Sequence, residues 1–319
     1  MLENMKEISV LLGPTPQQYE IICKELNEDS DRFKININLL SEWLRFQPHL
    51  PQNYDHELLP IFLRGCKNDL ERAKKKLDNF FTARTTVTEF FADRDPLSNE
   101  IQLASQSFQI ATIPKLSPSG HRVSFHKFTD VDASLFVTKD VFRYILMTAD
   151  LRMLEEKAIA GDIFVFDVKH MGAGHCTRLA QPVLLSKMLS LVQQAYPQRL
   201  AQIHLINTPN NIHTLVTLFK SCMKEKMRNR FNLHKEGFDL EEILPKDCIP
   251  KDYGGNLPSM QTLHDIGHKK ITDNRDWFLK QNNIKADNKK RIEQNNNHSL
   301  FNSDSIYGTE GAFRKLNID

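Results

Sequence analysis

One stretch constrains the architecture more than any other, the segment from Ala201 to His234. Ala201–Asn207 is a short apolar run, interrupted by Gln202 and His204, that ends at Asn207-Thr208-Pro209. Proline lacks a backbone donor and fixes its own φ, so neither strand nor helix continues through it. The run reads as a buried strand stopping at a sheet edge. Beyond it, Ile212, Leu215, Val216, Phe219, Cys222 and Met223 recur at steps of three and four, the spacing of one helix face. The segment then turns basic: Lys220, Lys224, Lys226, Arg228 and Arg230 stand against one acid, Glu225. An apolar helix face running into a cationic cluster suits a surface that meets anionic lipid. It suits equally an ordinary amphipathic helix with a solvated basic side.

A chain of 319 residues predicts one large domain or two modest ones, and 40% hydrophobic residues can bury a substantial core. The net charge of +2 makes any anion-binding role local and gives no ground for expecting a nucleic-acid partner. No apolar run approaches the roughly 20 residues needed to cross a bilayer. The N-terminal stretch carries early acids and lacks the pattern of a secretory signal. The five cysteines, Cys23, Cys66, Cys176, Cys222 and Cys248, are scattered and odd in number, as expected for reduced thiols in a cytoplasmic protein.

The first 95 residues read as all-helical. Thr15 and Pro16 open one helix through Leu26. Phe33, Ile37, Leu40 and Leu44 mark a second, and Tyr54–Leu63 and Leu70–Phe81 complete the set. Lys74–Lys76 are expected on a solvated face. After a break at Asp93–Asn99, strands alternate with helices. His121–Phe128 and Ile163–Val168 are strands; Val141–Glu156 and Ala180–Tyr196 are helices. Met227–Leu233 is a further strand candidate feeding Phe238–Leu244. Such alternation predicts βαβ units and a largely parallel sheet. Lys269–Asn297 is polar and reads as a helix fragment leading into a tail.

Several chemistries lack their signatures. There is no GxGxxG, no GxxxxGK[ST] and no GxSxG, and Gly172-Ala173-Gly174 lacks the third glycine of a dinucleotide fingerprint. His170, His175 and Cys176 have metal-ligand character but no remote partner pair, so no metal or cofactor is expected. Asp167 at a strand end, with His175, is the one acid–base candidate, without a nucleophile or cofactor motif beside it.

Several stretches together resemble the CRAL-TRIO lipid-transfer family, in its α-tocopherol-transfer-protein-like branch. They are SEWLRFQPHLP (Ser41–Pro51), Leu58–Thr85, GDIFVFDVKHMGAGH (Gly161–His175), QAYPQRLAQIHLINTP (Gln194–Pro209), Phe219–His234, LPKDCIPKDYGG (Leu244–Gly255) and Tyr307–Asp319. The resemblance implies an α/β fold: an N-terminal helical bundle (1–95), then a CRAL-TRIO domain (96–268) and a polar tail (269–319). The second unit would be a mostly parallel sheet flanked by helices around a lipid cavity. It implies no enzyme but a cytosolic carrier of one hydrophobic molecule, such as a tocopherol, retinoid, carotenoid or other lipid. A lipid-sensing adaptor is the alternative. The implied cavity wall is Phe142, Ile145, Ala149, Phe166, Met188, Leu191, Tyr196 and Ile203. A gate helix over 211–226 would present Ile212, Leu215, Val216, Phe219 and Met223. Phosphoinositide contacts would fall on Arg199, Lys220, Lys226 and Arg230, with Arg228 added. Cys66 stands where the family places a headgroup-binding arginine, with Lys67 next to it, and Ile145 and Ala149 replace small hydroxyl residues.

Overall fold

Local signals set the ends of the first helices in the computed structural model, which describes residues 10–209 and 212–292. Helix α1 (Pro16–Leu26) opens on Thr15, whose hydroxyl accepts from the Gln18 N–H while the Gln18 side chain accepts from the Thr15 N–H. This reciprocal cap satisfies two backbone donors that a helix start leaves open. Asp29 and Asp69 cap α2 (Ser30–Arg45) and α4 (Leu70–Thr86) through their carboxylates. Between them lies α3 (Leu58–Gly65), and α5 (Thr88–Phe91) and α6 (Asn99–Ser107) follow.

The sheet runs in chain order, β1 (Phe108–Leu116), β2 (His121–Phe128), β3 (Gly161–Asp167), β4 (Leu200–Ile206) and β5 (Phe231–Leu233). β1 is antiparallel to β2, and every later pairing is parallel. β1 contains Pro114, tolerated because β1 is an edge strand and its register shifts between Thr112 and Leu116. The crossovers are α7 (Thr138–Glu155), the pair α8 (Ala173–Leu179) and α9 (Pro182–Gln194), and finally α10 (His213–Ser221) with α11 (Glu225–Arg228). The helix expected over Ala180–Tyr196 is α9, which Pro182 opens two residues later than expected, and α8 before it was not anticipated. The strand expected over Met227–Leu233 begins only at Phe231, because Glu225–Arg228 close a helical turn first.

One face of the sheet packs against α12 (Met260–Asp273) and the segment before it. Ala111, Ile113, Val123, Phe125, Ile163, Val165 and Ile206 meet Leu240, Leu244, Ile249, Met260 and Leu263 there. The other face looks toward α7, α9 and α10. The helical front has no separate core: Leu59, Phe62 and Phe80 belong to one buried cluster with Tyr144, Leu191 and Tyr196. At Gly65 a Cβ would lie 2.0 Å from the Pro197 carbonyl oxygen, so only glycine permits this approach. Secondary structure changes at Phe108, after α6, and the packing of the front continues into the α/β part without a break at residue 95.

Three expectations change. Lys76 is buried, its ammonium donating to the Tyr196 carbonyl, because α4 turns this residue toward the α9–β4 connection. Residues 269–292 do not leave the body as a tail. After α12, α13 (Arg275–Gln281) buries Phe278 completely, Trp277 donates to Asp55 at 3.2 Å, and the Ala286 N–H donates to the Phe81 carbonyl. Tyr307–Asp319, the stretch that resembles the family's ending, lies outside the described residues. Phe238–Leu244 holds only a short 3-10 turn at Leu240–Glu242 rather than an extension of the sheet.

A buried ionic network ties the front to the α/β part. Asp150 on α7 accepts from Arg84 at 2.6 Å and from the Tyr196 hydroxyl at 2.7 Å, and pairs with Arg94 at 2.8 Å. Burial opposes its charge, yet the two guanidiniums prevail and hold the carboxyl below its usual pKa. Removing such a carboxylate strands two buried cations, so Asp150→Ala should cost about 3–5 kcal/mol. Urea unfolding of the two proteins measures this.

Candidate functional site

The sheet face opposite α12 is not filled. β1, β2 and β3 present Phe108, Ile110 and Thr112, then Ser124, His126 and Phe128, then Phe164 and Phe166, each set following the two-residue period of a strand. α7 crosses above them with Phe142, Ile145 and Ala149 inward, and α9 adds Leu185, Met188, Leu189 and Val192. The result is a cavity of about 210 Å³ lined by 34 residues. Six of these are polar, namely Thr112, Ser124, His126, Thr148, Arg152 and Gln198. So apolar a wall selects for hydrophobic contents, and polar contacts are few enough to matter singly.

Six of the eight residues expected in the wall line this cavity: Phe142, Ile145, Ala149, Phe166, Met188 and Ile203. Leu191 and Tyr196 do not. Leu191 is fully buried in the common core, and Tyr196 turns toward the front, its hydroxyl on Asp150 and its ring edge-on to Phe80 at 5.4 Å. The contribution of β1 came from a strand without a legible signal. Phe108, Ile110 and Thr112 alternate with Gln109 and Ala111, a pattern too short and mixed to stand out, and Pro114 interrupts the run.

All five residues expected on the gate, Ile212, Leu215, Val216, Phe219 and Met223, reach the cavity. The gate is shorter than 211–226, since α10 ends at Ser221 and Lys224 takes an extended backbone before α11. Residues 210 and 211 lie outside the described residues. From the last turn of α10 onward, lining residues and cations are chain neighbours: Phe219 with Lys220, Met223 with Lys224, Met227 with Lys226 and Arg228, Phe231 with Arg230. One side of this segment thus closes the cavity while the other carries positive charge. Lys224, Lys226 and Arg228 are exposed.

The cations differ in how they are held. Lys220 sits 5.7 Å from the centre of the Phe231 ring, Arg228 donates to the Met223 carbonyl at 2.8 Å, and Arg230 donates to the Leu200 carbonyl. Among the described residues none of the five forms an ion pair. Arg199 is different: it pairs with Glu25 at 2.7 Å and donates to the Ala160 carbonyl. Lys67 also reaches Glu25, at 3.2 Å, so these two cations share a carboxylate on α1. Hydrogen bonds from Arg199 and Lys67 hold that carboxyl below its usual pKa. Cys66 is buried, and burial pushes its thiol up to about 11, so it stays neutral and offers an anion no charge.

Asp167 and His175 are not brought together. Asp167 accepts from the Lys169 N–H, the Asn207 amide and the Tyr253 hydroxyl, at 2.9 to 3.0 Å. His175 accepts from the Gly172 N–H at 3.3 Å and packs against Phe128 and Phe136. His170 faces Asp130 at 3.6 Å. Among the described residues no three His, Cys, Asp or Glu side chains gather as metal ligands. No described helix is long and apolar enough to cross a membrane.

A helical front, a five-stranded sheet and an apolar chamber under a short helix define a CRAL-TRIO protein, and sequence comparison agrees. Residues 107–255 match the CRAL/TRIO domain and residues 29–101 match the Pinta-like UBA domain, so the chain belongs to the CRAL-TRIO lipid-binding and transfer family. It is 27% identical over 267 residues to the human alpha-tocopherol transfer protein-like protein, covering 79% of this chain and 77% of that one. It is 24% identical over 249 residues to Clavesin-1 of Xenopus laevis, covering 77% and 75%. Among solved structures, Sfh5 superposes with a TM-score of 0.46 at 14% identity, over 77% of this chain and 98% of that one.

Two outcomes follow for the chamber. Ile203→Asp puts an unpaired carboxylate into an apolar wall, a costly placement; lipid extracted from the purified variant should fall several-fold, or the variant should unfold at lower urea. The second concerns acid. Burial, with help from Arg152, pushes His126 down to about 3, and burial holds His204 and His264 to about 4. The unfolded chain takes up protons on these rings from about pH 6.5 downward while the folded chain does not. Stability is therefore full above pH 6.5 and falls as the pH drops toward 4. For each such ring the slope reaches up to about 1.4 kcal/mol per pH unit. His126→Phe should flatten that slope in urea titrations at pH 7, 6 and 5.

Proposed function

We propose that the chain is a carrier that encloses one lipophilic molecule and exchanges it at anionic membrane surfaces, with α10 and the segment after it as the gate. The observation that supports this most is the alternation just described, in which Phe219, Met223, Met227 and Phe231 each close the cavity with a cation as chain neighbour. Contact of Lys220, Lys224 and Lys226 with lipid phosphates would pull on the same backbone that carries Phe219, Met223 and Met227. Docking and opening would then be one event. Burying about 400 Å² of apolar cargo surface at ~25 cal/mol per Å² supplies on the order of 10 kcal/mol before association costs. Cargo therefore needs a membrane-driven opening to leave at a useful rate.

Phosphoinositide headgroups fit this reading because several phosphates on one ring can meet several cations. Lys220, Lys224 and Lys226 are the free members; Arg199 already has Glu25, and Arg230 also holds β4. With Ile145 and Ala149 in the wall, the hydroxyls that could meet a cargo on this stretch of α7 reduce to Thr148, which donates to the Tyr144 carbonyl.

Each lysine near an anionic surface contributes roughly 1 kcal/mol at low salt. The triple change Lys220→Ala, Lys224→Ala, Lys226→Ala should thus weaken binding to phosphoinositide-containing vesicles on the order of 100-fold. Transfer of bound lipid between vesicles should slow in parallel, while lipid retained in solution stays the same. Vesicle sedimentation and a transfer assay read the two effects. Unaltered vesicle binding by the triple variant at low salt refutes the gate's role.

A further inference from the structure

The chamber's polar side chains are not scattered. Register places Thr112 opposite Ser124 and Ile110 opposite His126, so Thr112, Ser124 and His126 form one patch on the cavity face of β1 and β2. β2 is separated from β5, beside the gate segment, by three strand spacings, about 14 Å at the usual ~4.8 Å. The patch therefore lies at the end of the chamber away from the basic segment.

His126 is the unusual member. Its ring is 94% buried by its 6% exposure, stacks on Phe166 at 4.6 Å and meets the edge of Phe164 at 5.2 Å. Both phenylalanines line the cavity. Neither ring nitrogen has a hydrogen-bond partner among the described residues. A buried imidazole without partners costs free energy that a phenylalanine at this position would not. The ring holds one donor and one acceptor, so it can answer a hydroxyl in either sense or donate to a carbonyl. Ser124 and Thr112, 3.5 Å apart at their hydroxyls, are within the same patch to complete the contact.

The charged neighbour does not compete. Arg152 also reaches the chamber, but its charge is balanced by Asp162, which its Nη1 meets at 2.5 Å; its Nε has no partner among the described residues. The ring itself stays neutral at physiological pH.

We propose that His126, with Ser124 and Thr112 beside it, anchors a single neutral hydrogen-bonding group, a hydroxyl or carbonyl, at the leading end of an otherwise apolar cargo. The cargo enters polar end first and leaves its hydrocarbon end under α10. This rests on the carrier reading and narrows its cargo class. It disfavours pure hydrocarbons, which leave the imidazole unsatisfied, and fatty acids, which bring a charge with no partner.

The test uses phytanol and phytane, which share a branched skeleton and differ by one hydroxyl. Protein is incubated with vesicles holding equal amounts of both, re-isolated and extracted, and the two are counted by gas chromatography with mass detection. Wild type should be enriched in phytanol about tenfold over the vesicle ratio, the worth of one buried hydrogen bond. His126→Phe, which keeps the stacking surface, should return the ratio to near unity by lowering phytanol uptake; His126→Gln, which keeps a donor and an acceptor, should retain a preference. Should His126→Phe fold poorly, His126→Met makes the same comparison. Equal uptake by wild type, or an enrichment that survives loss of the imidazole, overturns the anchor and leaves the carrier reading standing. Loading of neither compound by wild type overturns the carrier reading, and the anchor with it.

Discussion

A sheet buried on both faces must be covered on both, and here the two coverings are unequal. One face receives α12 and the loops before it and is filled by Ile249, Met260 and Leu263. The other receives helices that span the sheet without reaching it everywhere. Close packing is the rule in protein interiors, and an unfilled apolar volume forfeits contacts along its whole lining. The sequence tolerates that loss because the surrounding frame is tied down elsewhere. Arg84, Arg94 and Tyr196 converge on Asp150, Arg122 pairs with Glu156, and Arg152 with Asp162. These buried pairs hold the walls apart as well as together.

Legibility in the sequence followed physical signal strength. The gate face was readable because a helix exposed on one side must alternate by 3.6, and α10 has water on its outer side. β3 was readable as an apolar run bounded by turn residues. β1 was not, because apolar and polar residues mix on both of its faces and Pro114 sits inside it. Lys76 looked solvated beside Lys74 and Lys75, since nothing in a lysine run marks the one that a neighbouring element will cover. The fold of residues 269–292 against the front was equally hidden. It rests on the burial of Phe278 and on Trp277 and Arg291 meeting Asp55 and Asp78, each more than 200 residues away.

For the site, the family resemblance and the side-chain pattern converged on most of the cavity wall but missed its polar corner. His126 was passed over because a histidine in a strand carries no periodic signature. Its importance comes from what surrounds it, an aromatic pocket without a hydrogen-bond partner. In the other direction, Arg199 was grouped with the headgroup-binding cations only by the family resemblance. Its engagement with Glu25, on a helix more than 170 positions earlier, separates it from the rest.

The close approach of Gly65 to the Pro197 carbonyl has a mechanical corollary. With the two backbones touching there, the front helices and the root of β4 are bolted into one chassis, and Lys76 fastens the same joint from the other side through Tyr196. In the carrier proposed above, the displacement that admits a guest would fall to residues 212–230. That stretch leaves the sheet at Asn207, in a left-handed conformation, and comes back to it through β5, an edge strand of three residues. Such an arm can lift like a drawbridge while the masonry on which it is hung keeps its shape.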